Sequence, residues 1–317
     1  MRAIRIILFL SWALGCLPVS SPFINSKNFR FRLFSCSSLY SLSIFLLGTL
    51  LHMFLHQNTT HYGNLSQALY VNLTACMVAE FIQSFVARSV GIVHCPKIVE
   101  FFKSVQGVDE FCGKISMTKG FKKANSNQST VVTYLMLATG TILQIAMGIK
   151  YFYFFMDPTG TSGMGIMFRS PFSRIVGFTF AAMSMFLGLA TITVAMWISV
   201  GMADVLLAVH RQFFYCMTEW LREPSMRAGA TGPEEVAVLY YNFLKLKSCF
   251  DLYGRIIGLY LLVTITWFLA GVIYSIHSLI WPHDGITDLT SFLHTVIGLL
   301  ILIIPGQLLR SQVGHVG

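Results

Sequence analysis

Charged residues are scarce in this chain of 317 amino acids, since Asp, Glu, Lys and Arg together make up only 11% of it. Hydrophobic residues make up 55%, and the mean hydropathy is +0.68. A soluble domain needs more polar surface than this to cover its apolar core. The shortage of charge therefore argues against a soluble globular protein and predicts a chain that faces a lipid bilayer.

The groupings of residues that catalysis and metal binding require are also missing. The seven cysteines have no paired spacing of the kind that holds zinc, and the acids and histidines of the basic loops are scattered. We therefore expect no enzymatic activity, no metal and no cofactor. The net charge of +9 is spread along several loops beside lipid headgroups, so we expect no nucleic-acid partner either.

Six apolar stretches are long enough to cross a bilayer, which takes roughly 20 residues of helix. No Asp, Glu, Lys or Arg occurs in 175–203 or in 256–281. Because only an internally hydrogen-bonded backbone is stable in lipid, the sequence predicts an all-α fold, a polytopic transmembrane helix bundle. The six predicted spans are residues 33–55, 65–86, 131–156, 175–199, 256–280 and 291–309.

Basic residues alternate between the gaps that separate these spans. Nineteen of the 22 Lys and Arg residues precede the first span, follow the last, or lie in the second and fourth gaps. Loops that stay in the cytoplasm accumulate Lys and Arg. The pattern predicts a cytoplasmic N-terminal segment, residues 1–32, whose first part is a membrane-surface helix, and a cytoplasmic C-terminal end, residues 310–317. We expect a multi-pass protein of the plasma membrane.

The first gap, residues 56–64, has no Lys or Arg and carries two glycosylation sequons. Asn58 and Asn64 are therefore predicted glycosylation sites on the outer side of the membrane.

Two cytoplasmic helical extensions, residues 200–222 and 234–255, are predicted to continue the fourth and fifth spans. Pro233 followed by two glutamates is typical of a helix start. Beyond it, apolar residues step by four and three along one face. This stripe either packs within the chain or contacts another subunit, and the predicted contact residues are Leu239, Phe243, Leu246 and Phe250.

Polar residues inside the spans provide the candidate sites. Glu80 and Gln83 share one face of the second span, and an acid at that depth must face protein or water. Glu80 is either part of a structural hydrogen bond or part of an ion or ligand path. Mixed polar and aromatic faces of the third and fifth spans can line a cavity, and the ligand-binding candidates are Gln144, Tyr151, Trp267 and Tyr274.

Three stretches resemble the arthropod gustatory receptor family: Leu-Gly-Cys-Leu-Pro at 14–18, His-Cys-Pro-Lys-Ile-Val at 94–99, and the run at 244–260 that leads into the fifth span. The resemblance implies a seven-transmembrane chemoreceptor that is a subunit of a ligand-gated cation channel. It also implies a homo- or hetero-tetramer with related receptor subunits and an external small-molecule tastant. The family's Thr-Tyr and Gln-Phe signature of a seventh helix is absent, so we expect a chain truncated before that helix and possible loss of conduction.

The alternative function is a polytopic membrane transporter. Internal repeats, interrupted helix pairs and several buried charges are typical of transporters, whereas only Glu80 lies deep in a predicted span. The sequence therefore favours the receptor.

Overall fold

The computed structural model consists almost entirely of helices. Six helices and two three-residue strands have described bounds, and the described residues within 134–149 and 292–307 are helical as well. The described residues are 2–22, 29–61, 67–119, 134–135, 138–142, 145–146, 148–149, 164–166, 171–222, 233–280, 292–293, 295–300, 303 and 307. In chain order the elements are α1 (Arg2–Ala13), α2 (Cys36–Asn58), β1 (Thr59–His61), α3 (Gln67–Val93), α4 (Cys95–Lys119), β2 (Met164–Ile166), α5 (Pro171–Arg222) and α6 (Pro233–Ile280).

Two of these helices, α5 and α6, are long and apolar enough to cross a membrane. They contain 52 and 48 residues, so each is about 70–80 Å long at 1.5 Å per residue. The sequence predicts a helix start at Pro233, and α6 begins there with Glu234 and Glu235 in its first turn. Each helix continues from its predicted span through the predicted extension without a break.

A turn at His94 separates α3 from α4, and both helices pack against α5 and α6. Arg88 of α3 contacts Thr191 of α5, and Cys112 of α4 contacts Cys216 of α5, at sequence separations of 103 and 104. Nearly equal separations show that α5 runs parallel to α3 and α4.

Helix α6 runs antiparallel to α3 and α4. Gln83 of α3 lies beside Thr264 of α6, and the later Gly107 of α4 lies beside the earlier Lys245 of α6.

Different gaps of the chain meet at the two ends of α3. Before its first residue, β1 pairs with β2 in antiparallel register, with Thr59 opposite Ile166. Near its last residue, Gly91 lies against the turn that follows α1. Phe29 of the N-terminal segment also packs on Phe102 of α4, with ring centroids 6.3 Å apart. The first gap and the segment before α5 thus share one end, and the N-terminal segment and α4 share the other.

The largest apolar core lies at the end that holds the N-terminal segment. It contains buried residues from α1, α3, α4, α5 and α6, among them Leu8, Phe101 and Phe213. Helix α1 packs against α5 and buries Ile7 and Leu8 in this core, while Ile6, Phe9 and Leu10 of the same helix are exposed. Contact of α1 with the membrane surface stays a prediction.

The apolar stripe of α6 packs within the chain. Leu246 is fully buried, and Leu239, Phe243 and Phe250 are partly buried against the same core. Phe250 stacks edge-on against His210 of α5, with ring centroids 5.6 Å apart. Contact of this stripe with a second subunit stays a prediction. The face of α6 that remains exposed in this region carries Val236, Tyr240, Tyr241 and Leu244.

Gly91 allows the turn after α1 to lie directly on α3, because a Cβ at this position would overlap the carbonyl oxygen of Cys16. We expect Gly91→Ala to lower the free energy of unfolding by about 1–3 kcal/mol, since a backbone atom must move. Gly113→Ala in α4 is the matched control, because nothing lies within 4 Å of its added Cβ. Alanine favours a helix over glycine, so the control should gain about 0.5–1 kcal/mol.

Thermal and denaturant unfolding of the detergent-solubilised protein, followed by tryptophan fluorescence, measures both changes. Equal effects of the two substitutions would contradict the close contact between Gly91 and the N-terminal segment.

Candidate functional site, a polar layer across the bundle

Five polar side chains from three helices lie together in the interior of the bundle. We call them the polar layer, and none of them is more than 5% exposed. They come from α3, α5 and α6, whose remaining contacts are largely apolar. The members are Gln83, Arg88, Thr191, Tyr260 and Thr264.

Arg88 is the charged member of the polar layer. Its Nε donates a hydrogen bond to Oγ1 of Thr191 at 2.9 Å, and its Nη2 donates to the carbonyl oxygen of Leu187 at 2.9 Å. Side chains of a helix lean toward its N-terminus, and the guanidinium reaches α2, where a Cβ on Gly48 would overlap Nη1. The glycine makes room for the cation, so one side chain joins α2, α3 and α5.

Among the side chains that the structure describes, which do not include that of Glu80, no carboxylate pairs with the guanidinium of Arg88. The nearby Cys16 does not supply a negative charge either. Burial raises the pKa of the Cys16 thiol to about 11, although the Arg88 cation lowers it in part. The thiol is therefore neutral at physiological pH. A hydroxyl and a carbonyl oxygen, both uncharged, are the hydrogen-bond acceptors of this buried cation.

Two hydrogen bonds made by α6 form the second branch of the polar layer. Gln83 Nε2 donates to Oγ1 of Thr264 at 3.3 Å, and Tyr260 lies one turn before Thr264 on α6. The Tyr260 hydroxyl donates to the carbonyl oxygen of Ile192 at 3.2 Å. Ile192 follows Thr191 directly, so both branches end on the same turn of α5.

Two buried polar atoms in or beside the polar layer have no hydrogen-bond partner in the described structure. They are Oε1 of Gln83 and Oγ of Ser184, which lies one turn before Leu187 on α5. A buried acceptor without a donor costs about 1–3 kcal/mol. Gln83 and the neighbouring Ser184 therefore keep hydrogen-bonding capacity that the described side chains do not use. Among the described residues, no three His, Cys, Asp or Glu side chains are placed to hold a metal ion.

Trp267, a predicted ligand-binding residue, lies one turn beyond Thr264 on α6. It is half-buried, with its ring centroid 4.8 Å from that of Phe268 in an edge-to-face contact. Tyr134 and Trp197 pack against the same small apolar cluster. Trp197 also donates Nε1–H to the hydroxyl of Thr141 at 2.9 Å. The structure thus places an aromatic group with a few polar atoms next to the polar layer.

The remaining predicted site residues fall outside the described side chains. Tyr274 belongs to α6, Glu80 to α3 and Asn58 is the last residue of α2, but only their backbone is described. Gln144, Tyr151 and Asn64 lie outside the described residues. Their roles stay predictions.

Arg88 and Thr191 were not among the predicted site residues. Arg88 is the second residue after the predicted second span and was counted with the basic residues of the second gap. In the structure α3 continues to Val93 and carries Arg88 into the interior. Thr191 sits in an uncharged apolar run, where nothing in the local pattern distinguishes it. An arginine at the edge of an apolar helix, with a glycine on a neighbouring span, was the only available signal.

No protein-family model matches this chain, and no curated protein is significantly similar to it. The resemblance to gustatory receptors therefore rests on the residue patterns alone.

The cost of burying the Arg88 cation gives a stability prediction. Arg88→Met keeps an unbranched side chain and removes the charge, so we expect a free energy of unfolding equal to or above that of the native protein. Arg88→Ala leaves an unfilled cavity and should cost about 2–5 kcal/mol. Denaturant unfolding in detergent measures both values. Equal losses in the two variants would show that the charge itself stabilises the bundle.

Proposed function

We propose that this chain is a multi-pass plasma-membrane chemoreceptor of the gustatory type, a subunit of a ligand-gated cation channel that detects external small molecules. The observation that carries the membrane assignment is the outer surface of the helices. Five large apolar side chains from α2, the stretch 138–142, α5 and α6 are each between 64% and 70% exposed: Leu50, Ile142, Phe186, Leu262 and Ile273. Such an apolar outer surface suits a lipid solvent.

In this proposal six spans cross the membrane and the N-terminal segment lies in the cytoplasm. The alternation of basic residues supports this orientation. The contacts at the ends of α3 agree with it, because the basic N-terminal segment meets the basic α4 while the first gap meets β2 at the other end. The end with β1 and β2 is then extracellular.

The ligand enters from that extracellular end and binds among aromatic side chains near Trp267. Trp267 adjoins the polar layer through α6, so a bound molecule can contact both apolar rings and hydrogen-bonding groups. A ligand that binds the open state more tightly than the closed state shifts the receptor toward opening. Related receptor subunits complete the tetramer in this proposal.

Sidedness gives the first test. We expect an epitope tag placed before residue 1 to bind antibody only after cells are permeabilised. The double variant Asn58→Gln and Asn64→Gln should lose the mobility shift that glycans produce on a gel. Asn127→Gln, which removes a sequon of the predicted cytoplasmic second gap, is the control and should change nothing. A tag that is accessible on intact cells would overturn the orientation and the receptor proposal with it.

Ligand sensitivity gives the second test. The chain is expressed with candidate partner subunits, and cation influx is measured against a panel of sugars and bitter compounds. We expect Trp267→Ala to raise the half-maximal concentration about tenfold or more, which corresponds to about 1.4 kcal/mol of binding free energy. Leu269→Ala on the exposed face of α6 is the matched control and should stay close to the native curve.

Surface biotinylation in the same cells shows whether both variants reach the membrane. An unchanged dose response for Trp267→Ala at normal surface expression would remove this residue from the site.

Buried Arg88 favours one alternative function, a polytopic membrane transporter, because ionisable residues inside a helix bundle often mark substrate paths. The two functions differ in what crosses the membrane. Uptake of a labelled solute into vesicles without a ligand-evoked cation current would favour the transporter, whereas a ligand-evoked current without uptake would favour the receptor.

A further inference from the structure

Two buried cysteines from different helices are in contact at the end of the bundle that holds the N-terminal segment. Cys112 of α4 and Cys216 of α5 are 0% and 2% exposed. The Sγ of Cys216 donates to the carbonyl oxygen of Cys112 at 3.8 Å, so the thiol of one cysteine lies against the backbone of the other. Gln212, one turn earlier on α5, donates Nε2–H to the Sγ of Cys216 at 3.5 Å.

This arrangement differs from that of the other buried cysteines. Cys249 of α6 is equally buried, but burial, Lys245 and Glu100 determine its environment, and no second described thiol adjoins it. A disulfide requires two sulfurs that can approach to about 2.05 Å. Within the described structure, Cys112 and Cys216 are the two cysteines in which the sulfur of one contacts the other residue.

We propose that Cys112 and Cys216 are a modification site for peroxides, at which oxidation forms a disulfide that fastens α4 to α5. In the first step hydrogen peroxide oxidises one thiol to a sulfenic acid and releases one water. In the second step the other thiol attacks that sulfur, the S–S bond forms and a second water leaves. Two thiols and one peroxide thus give one disulfide and two waters. A dithiol reductant reverses the reaction.

Packing controls the rate of this reaction. The neighbouring Cys216 thiol, followed by burial, raises the pKa of the Cys112 thiol above its usual range. Little thiolate is then present at neutral pH, and the thiolate is the species that reacts. Oxidation therefore proceeds when the contact between α4 and α5 loosens. The resulting bond holds the two helices in their packed arrangement.

Mass spectrometry of the full chain tests the proposal directly. The detergent-solubilised protein is treated with hydrogen peroxide, its remaining thiols are alkylated, and it is digested with trypsin. Cys112 and Cys216 fall in tryptic peptides 104–114 and 212–222, each of which contains a single cysteine. We expect these peptides to appear linked after peroxide and separate after reduction. We also expect the oxidised protein to unfold at a higher temperature.

Two variants and one internal control complete the experiment. Cys112→Ser should abolish the linked peptide, and Cys249→Ser should keep it. The exposed thiol of Cys36 reports that peroxide has reached the protein. Recovery of Cys112 and Cys216 as alkylated thiols at a dose that oxidises Cys36 would overturn the proposal. Conversion of both thiols of the native chain to sulfinic acids, without a linked peptide, would also overturn the proposal.

Discussion

The burial of the Arg88 guanidinium is the constraint around which the centre of this bundle is organised. A cation in an apolar interior is stable only if oxygen atoms surround it. Here they come from α5, through the hydroxyl of Thr191 and the carbonyl of Leu187, while Gly48 of α2 provides the space. Three helices must therefore keep their relative positions, and the second polar branch attaches α6 to the same turn of α5.

Large parts of the fold could be predicted from local patterns. Pro233 and the two glutamates after it mark the start of α6, and the uncharged runs mark the apolar parts of α5 and α6. Periodicity also identifies the apolar face of α6, because side chains three and four residues apart share a face. It does not identify what covers that face. The core of α4, α5 and α1 does so within the chain, and only tertiary structure could show this.

The candidate site could be predicted less well, because its members are defined by contacts between distant parts of the sequence. Gln83, Tyr260 and Thr264 belong to polar faces that the sequence displays, but Arg88 and Thr191 do not. A charge after an apolar run suggests a loop. Arg88 is buried instead, because Gly48 leaves space for its guanidinium and the hydroxyl of Thr191 accepts its hydrogen bond. The pairing of β1 with β2 could not be predicted from the sequence either, since strands of three residues give no periodic signal.

The continuity of α6 has a mechanical consequence. Trp267 and Leu246 belong to the same uninterrupted helix, about 30 Å apart at 1.5 Å per residue. A helix transmits axial displacement with little compression because its backbone hydrogen bonds run along its axis. A tilt or shift imposed near Trp267 therefore reaches the packed core around Leu246 as a rigid movement. The aromatic cluster around Trp267 and the apolar core around Leu246 are thus joined by one stiff element.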